Sequence, residues 1–513
     1  MTQTHLPSSP PISPDTMAST SLMPNVLDLV DRKDSSWSHS TLARLSRESL
    51  AKDPATERTS PVPDPESGAG DETEVTHTQA LEDVADEFRL PDLWSLVVVI
   101  GGNVMFQLAF FIIVSSASSY AESLGGTALF SGLAIGIPPA VSAMLLFPLT
   151  RIDGGKYRMP FNLAYISSAF GCMLYGLAYK ANFLYLILIG RIVSGVGFVA
   201  FMYSKRYVTD QRIVGIRRRT TLGSYLVLGQ GIGFSLGPFL GGVLYKFVGF
   251  QDGTEGFRSS HANDVWNGYT SPGWVMACAW IAFAIFAYFK FVDVKDAPAA
   301  VELHHPASPP RRTPPQVKMG LRQWGVIITM MYWSMTCFHI LGAWEANIPI
   351  FTAAELGYSP YAAGNFIALG GVATIPFLLA NTRYSRKFQD RTILATGSAL
   401  GLAGVLIAMA LVSTDRVSFG PYFVCWFLIA LGFNLASTCT VALLSKQFPP
   451  EWNGRLSMAI QYSNYTGRVS GALLGGAGVS MGMKNFIGVQ LAIIGFGATL
   501  YLTLWRELKA KTG

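Results

Sequence analysis

The feature that most constrains this chain is the recurrence of long apolar stretches that carry no formal charge. Residues 93–121, 123–150, 159–179, 220–245, 265–289, 323–344, 356–382, 392–414, 417–445 and 485–505 contain no Asp, Glu, Lys or Arg. Two further apolar stretches, about 183–204 and 456–483, are each interrupted by one charge, Arg191 and Arg468 respectively. A bilayer core of ~30 Å is crossed by about 20 helical residues, so each stretch is long enough to span it. A soluble protein has no reason to repeat that length twelve times. The expected fold is therefore an all-α membrane protein with twelve transmembrane helices. Only 14% of the residues are charged, against about 25% in an ordinary soluble domain. The 51 glycines suit helices that approach closely inside lipid.

The net charge of +6 conceals two materials joined near Leu93. Residues 1–92 carry a net −10 and are rich in Ser, Thr, Pro and acids, whereas residues 93–513 carry +16. The first segment has too little apolar surface to offset the entropy of ordering, so it is expected to be a disordered tail. No basic cap followed by an apolar core opens the chain, so this tail is expected to stay in the cytosol. Its Ser/Thr sites are candidates for phosphorylation.

With the tail cytosolic, the loops on that side hold 24 Lys/Arg and the opposite loops only five: Lys180, Lys246, Arg258, Arg416 and Lys484. Basic residues accumulate on the cytosolic side of membranes, so both termini are expected there. A Pro-rich connection follows span six, with Pro309-Pro310-Arg311-Arg312 at its centre. It reads as an extended linker. The expected organisation is a tail (1–92), a six-helix half (93–292), a linker (293–322), a second six-helix half (323–506) and a short cytosolic end (507–513). All five cysteines fall within spans, which suits packing rather than disulfides. The one glycosylation sequon, at Asn464, lies inside span eleven.

The two halves carry a trace of duplication. Gly233, Gly237, Gly241 and Gly242 of span five recur as Gly467, Gly471, Gly475 and Gly476 of span eleven, offset by 234 residues. Basic loops follow both span two (Arg151–Arg158) and span eight (Arg383–Arg391). Two parallel six-helix halves around a central pathway form a plan used by transporters.

On these residues the chain resembles the major facilitator superfamily. Gly190-Arg191-Ile192-Val193-Ser194-Gly195-Val196-Gly197 is similar to the family's R-x-x-x-G-x-G signature. Gly233 through Gly242, with Pro238 inside, is similar to its G-x-x-x-G-P-x-x-G-G signature. The loop with Asp153, Gly155, Lys156 and Arg158 resembles a degenerate form of its gating loop. Arg191 through Tyr207-Val208-Thr209-Asp210 to Pro238, Trp344-Glu345 through Thr352, and Gly467-Arg468 resemble a lysosomal and vacuolar branch. That branch holds ceroid-lipofuscinosis-type proteins and the membrane part of SPX-linked vacuolar phosphate transporters. The resemblance implies two six-helix halves, a transport function, and a vacuolar, lysosomal or plasma membrane. In the family, the glycine motif of span five (Gly233, Gly237, Pro238, Gly241, Gly242) is associated with antiporters.

Ionisable groups within spans are costly and usually face protein or a wet cavity. Arg191 and Arg468 are therefore candidate fixed positive charges for an anionic substrate. Glu345 is a candidate proton acceptor or charge partner, and His339 a secondary titrating group. Asn103 and Gln107, four residues apart in span one, are candidates to line the pathway. No Walker-type loop, GxSxG or zinc spacing occurs, so ATP-driven pumping, enzymatic catalysis, cofactors and a bound metal are not expected. The basic residues set topology and are not a nucleic-acid surface. The expected function is secondary transport of a small, anionic, proton-coupled solute by alternating access, with the bilayer and a small molecule or ion as partners and a monomer as the working unit. The alternatives are a passive anion permease and a non-transporting membrane sensor.

Overall fold

The computed structural model describes residues 89–210, 212–250, 261–294, 320–384, 388–448 and 452–509. The acidic tail up to residue 88 and nearly all of the Pro-rich linker lie outside the described residues.

Helix α1 (Leu93–Phe111) starts where the composition changes, because the Asp92 carboxylate accepts the Ser95 N–H at 3.0 Å and satisfies an open donor of the first turn. The chain turns through residues 112–116 and resumes as α2 (Ala117–Ser123), so the first span is broken near its far end. Then come α3 (Ala128–Ile152) and α4 (Arg158–Leu177). The fourth span bends at Phe198 and Val199 and is made of α5 (Leu184–Gly197) and α6 (Ala200–Thr209). The first half closes with α7 (Ile216–Val248) and α8 (Ser271–Lys290). The second half comprises α9 (Leu321–Leu356), α10 (Pro360–Tyr384), α11 (Asp390–Ser413), α12 (Phe419–Gln447), α13 (Asn453–Ala477) and α14 (Met483–Thr503). No strand occurs among the described residues.

Ten of these spans are both long and apolar enough to cross a membrane. The third and eleventh expected spans are helical too, as α4 and α13, but they are more polar: α13 alone contains Arg455, Gln461, Asn464 and Arg468. Span seven outruns its expected boundary. It continues through Glu345 to Leu356 and stops at Gly357, whose φ of 62° is a left-handed cap.

Within the first half α1 packs on α7, and α4 on α5 and α8; within the second, α9 packs on α13 and α11 on α12. Two seams join the halves, α3 with α13 and α7 with α10. In span numbers these are two with eleven and five with eight, so the duplication maps one seam onto the other. Both are built on glycine. A side chain at Gly132 or Gly476 would drive α3 and α13 apart, and one at Gly364 would meet the carbonyl of Pro238.

Burial along α9 is uneven. Every residue from Leu341 to Pro349 is buried, whereas residues 321–324, next to the linker, are exposed. α10 shows the same gradient, with Pro376, Phe377, Leu379 and Ala380 all exposed. Burial falls again toward Gly357, where Ala353, Ala354 and Glu355 are exposed and a cavity of about 340 Å³ is lined by Ser115, Glu122, Pro349, Ala354 and Tyr358.

Candidate functional site

The charged residues expected inside the membrane converge. Arg468 of α13 donates through Nη1 to the Glu345 Oε2 of α9, and the side chains are 15% and 2% exposed. The Arg468 guanidinium also lies over three aromatic rings, 5.7 Å from Phe110, 5.4 Å from Phe111 and 5.3 Å from Phe338. Two of those rings belong to α1, so the pair anchored in the second half is capped by the first. Arg191 of α5 reaches the same Phe110 ring at 5.5 Å, and its Nε donates to the Ala134 carbonyl at 3.1 Å. Glu345 Oε1 and Arg191 Nη2 are buried with no hydrogen-bond partner among the described residues. Arg191 has no carboxylate partner among the described residues, and a buried cation without a counter-charge is costly. Attraction to the rings, about 0.5–2 kcal/mol each, compensates only part of that cost.

The helix packing that brings these groups together follows from the glycine registers. Gly467 and Gly471 press against the α9 backbone at Met335 and His339. Gly237 and Gly241 press α7 onto Phe111 of α1 and onto the Ile112 carbonyl of the turn that follows it. Gly233 seats on Gln107, and Gly242 faces Tyr361 across the second seam. The Pro238 carbonyl lies against Gly364 of α10, where a side chain would not fit.

The other candidates take different places. His339 faces Ser470, with Nδ1 2.9 Å from its Oγ, in the α9–α13 contact. Asn103 donates to the Leu226 carbonyl at 2.9 Å and accepts from Gln230 at 3.4 Å, so its amide is used in holding α1 to α7. Gln107 is half-buried in that same contact.

The loop after α3 forms a compact ionic clamp. Asp153 accepts from Tyr203 Oη at 2.7 Å, from Arg206 at 2.8 Å and from the Gly155 N–H at 2.8 Å. Gly154 and Gly155 both have positive φ, 56° and 76°, which closes the loop tightly enough for that contact. Lys156 completes the turn through its backbone N–H to the Asp153 carbonyl. Arg158 donates to the Tyr288 carbonyl at 2.7 Å, and its N–H reaches Asp293 at 2.9 Å. Alongside, Arg212 binds Asp210 at 2.7 Å and the Gly155 carbonyl at 2.9 Å, while the Tyr157 hydroxyl donates to Asp210 at 2.7 Å. Burial works against the charged form of Asp210, but the Arg212 and Tyr157 hydrogen bonds outweigh it and hold the carboxyl below its ordinary value. Burial, helped by the Asp210 hydrogen bond, pushes the Tyr157 hydroxyl up.

Several participants were not among the sequence-based candidates. Phe110, Phe111 and Phe338 carry no signal in an apolar run. Arg206 lies beyond the apolar stretch that ends near residue 204, whereas the helix continues to Thr209. Tyr465 joins the halves, accepting from Ser142 and donating to the Phe198 carbonyl, both at 3.2 Å.

A helical membrane protein of two related halves, with charge concentrated between them, has the architecture of a transporter and not of an enzyme. The family profile of the Major Facilitator Superfamily matches residues 99–472, and the chain belongs to that superfamily. An uncharacterized MFS-type transporter of Schizosaccharomyces pombe is 32% identical over 435 residues, covering 83% of this chain and 84% of the relative. An SPX domain-containing membrane protein of Arabidopsis thaliana is 30% identical over 213 residues, which are 41% of this chain and 28% of that protein. Among solved structures, a bacterial homologue of the human lysosomal transporter Spinster, inward-facing and unoccupied, has a TM-score of 0.62 at 13% identity and covers 82% of this chain and 98% of its own. A D-xylose–proton symporter has a TM-score of 0.60 at 14% identity, covering 81% and 98%. At these identities the structural likenesses speak for the fold.

Proposed function

We propose that the protein is a secondary transporter that moves a small anionic solute together with a proton by alternating access. The observation that carries this reading is the Arg468–Glu345 pair, closed under α1 aromatics and accompanied by the unpaired Arg191. While Glu345 is ionised it occupies Arg468. Protonation of Glu345 releases Arg468 for an anion, and Arg191 supplies a second positive charge. Proton and anion therefore favour each other's binding. With the pair lodged between two halves joined by matching glycine seams, rocking of one half on the other would expose it to either side in turn.

The Lys/Arg-rich loops mark one side of the bundle as cytosolic by the inside-positive bias of membrane proteins, with both termini on that side. The division into tail, two halves and linker belongs to the same reading. A vacuolar or lysosomal membrane is the location we favour, on the partial likeness to SPX-domain membrane proteins and the fold shared with a Spinster homologue.

The test is flux of labelled small anions, inorganic and carboxylic, into vesicles reconstituted with the purified protein under an imposed pH gradient. Uptake of at least one anion should follow the gradient and vanish in Arg468→Ala while the variant remains folded. Gradient-independent currents reversing at the anion potential would replace coupled transport with a passive conductance. Normal flux in Arg468→Ala would overturn the site assignment.

A further inference from the structure

We propose that Lys205 and Gln461 form a second anion station on the cytosolic side of the Arg468–Glu345 pair, an inference that rests on reading the space between the halves as an anion route. Lys205 belongs to α6, inside the membrane-spanning stretch Leu184–Thr209, and is nonetheless exposed. Its Nζ donates to Gln461 Oε1 at 3.1 Å, a bond from the first half to the second. A lysine near a helix end commonly reaches out to the lipid headgroups. This one points the other way, into the gap between the halves. No carboxylate pairs with it among the described residues. The neighbouring acid, Asp153, is taken by Arg206 and Tyr203, and Asp210 by Arg212 and Tyr157.

The register of α13 links this lysine to the central pair. Gln461, Tyr465 and Arg468 are spaced by four and three residues, so they lie on one face of the helix. That face meets the first half at three successive levels: Lys205 at Gln461, the Phe198 carbonyl and Ser142 at Tyr465, and the α1 rings at Arg468. Two helical turns, on the order of 10 Å, separate Gln461 from Arg468. An anion entering from the cytosolic side thus meets an ammonium held by a neutral amide before it meets the guanidinium groups. An amide oxygen positions the lysine without cancelling its charge, which an acid at residue 461 would do.

The test needs no knowledge of the transported solute. In full-length protein with Cys278 changed to serine, Ser457→Cys places a thiol on exposed α13 surface one turn before Gln461. Its modification from the cytosolic side is timed with two reagents of similar size, sulfonatoethyl and trimethylammonioethyl methanethiosulfonate, and the anion-to-cation rate ratio is referred to that of free 2-mercaptoethanol. One unit charge at about 10 Å across a wet gap should bias the ratio toward the anion by about four-fold. Lys205→Gln should abolish that bias and Lys205→Arg should retain it. A ratio that Lys205→Gln leaves unmoved, or that Lys205→Arg abolishes equally, would overturn the station. Because the reagents report potential and not turnover, this result stands apart from the flux test of Arg468.

Discussion

Removing one member of the central pair should cost more than removing both. Arg468→Ala leaves Glu345 buried and uncompensated, a change on the order of 3–5 kcal/mol in comparable buried pairs, whereas Arg468→Ala with Glu345→Ala leaves no unpaired charge. Thermal unfolding in detergent should place the double variant above the Arg468→Ala single variant; the reverse order would mean the pair is not coupled. Arg468→Lys should fail to restore flux, because a point-charge ammonium cannot reproduce the planar guanidinium that reaches Glu345 and the Phe111 and Phe338 rings together. At this scale the sequence revealed the charges and missed their setting. Arg191, Glu345 and Arg468 stand out because an ionised group in an apolar run must be explained. Phe110, which gathers both arginines, is one aromatic among many. Asn103 looks alike in sequence whether it lines a pathway or ties two helices, and only its bonds to Leu226 and Gln230 distinguish the two.

Among the helices, α7 offers a contrast within one element. Gly231 has no atom within 4 Å of where a methyl group would project, while at Gly241 the methyl would overlap the Ile112 carbonyl. Gly231→Ala should therefore fold as well as the parent or slightly better, by up to about 1 kcal/mol from helix propensity. Gly241→Ala should displace α7 from α1 and lower both the melting temperature and the yield of monodisperse protein. Equal behaviour of the two variants would refute the packing account. The clamp beside α3 and α6 has its own acid signature. Asp210 titrates below its ordinary value of 3.8 in the folded protein, so its stabilising contribution is present above that value and is lost as the pH falls through the lower, folded one. Asp210→Asn should flatten the acid limb of a stability–pH profile relative to the parent; an unchanged limb would remove Asp210 from the clamp. Element existence was legible from hydropathy alone, because bilayer thickness sets a length that repeats. Element ends were not. The break at residues 112–116 has no charged or prolyl marker, and Arg206 lies within a helix because its charge is matched by Asp153.

For the molecule as a whole, the duplication visible as a 234-residue glycine offset becomes two equivalent packings inside the halves, Gly233, Gly237 and Gly241 against residues 107–112 and Gly467, Gly471 and Gly475 against α9, while Gly242 and Gly476 face the opposite half. Sequence length and charge placement foretold twelve helices; ten meet a strict apolar criterion, and the remaining two, α4 and α13, are the more polar ones. The polar character of α13 has a purpose in this account, since its one face carries Gln461, Tyr465 and Arg468 to the other half. A proton and an anion meet at Glu345 and Arg468 in the proposed mechanism, and proton uptake on anion binding reads out that meeting. Purified protein in weakly buffered detergent solution, with a pH-sensitive dye, is mixed with each anion that supports flux. The account predicts about one proton taken up per anion bound by the parent protein and none by Glu345→Gln, which still binds the anion. Anion binding that takes up no proton in the parent, or the same uptake in Glu345→Gln, would contradict it.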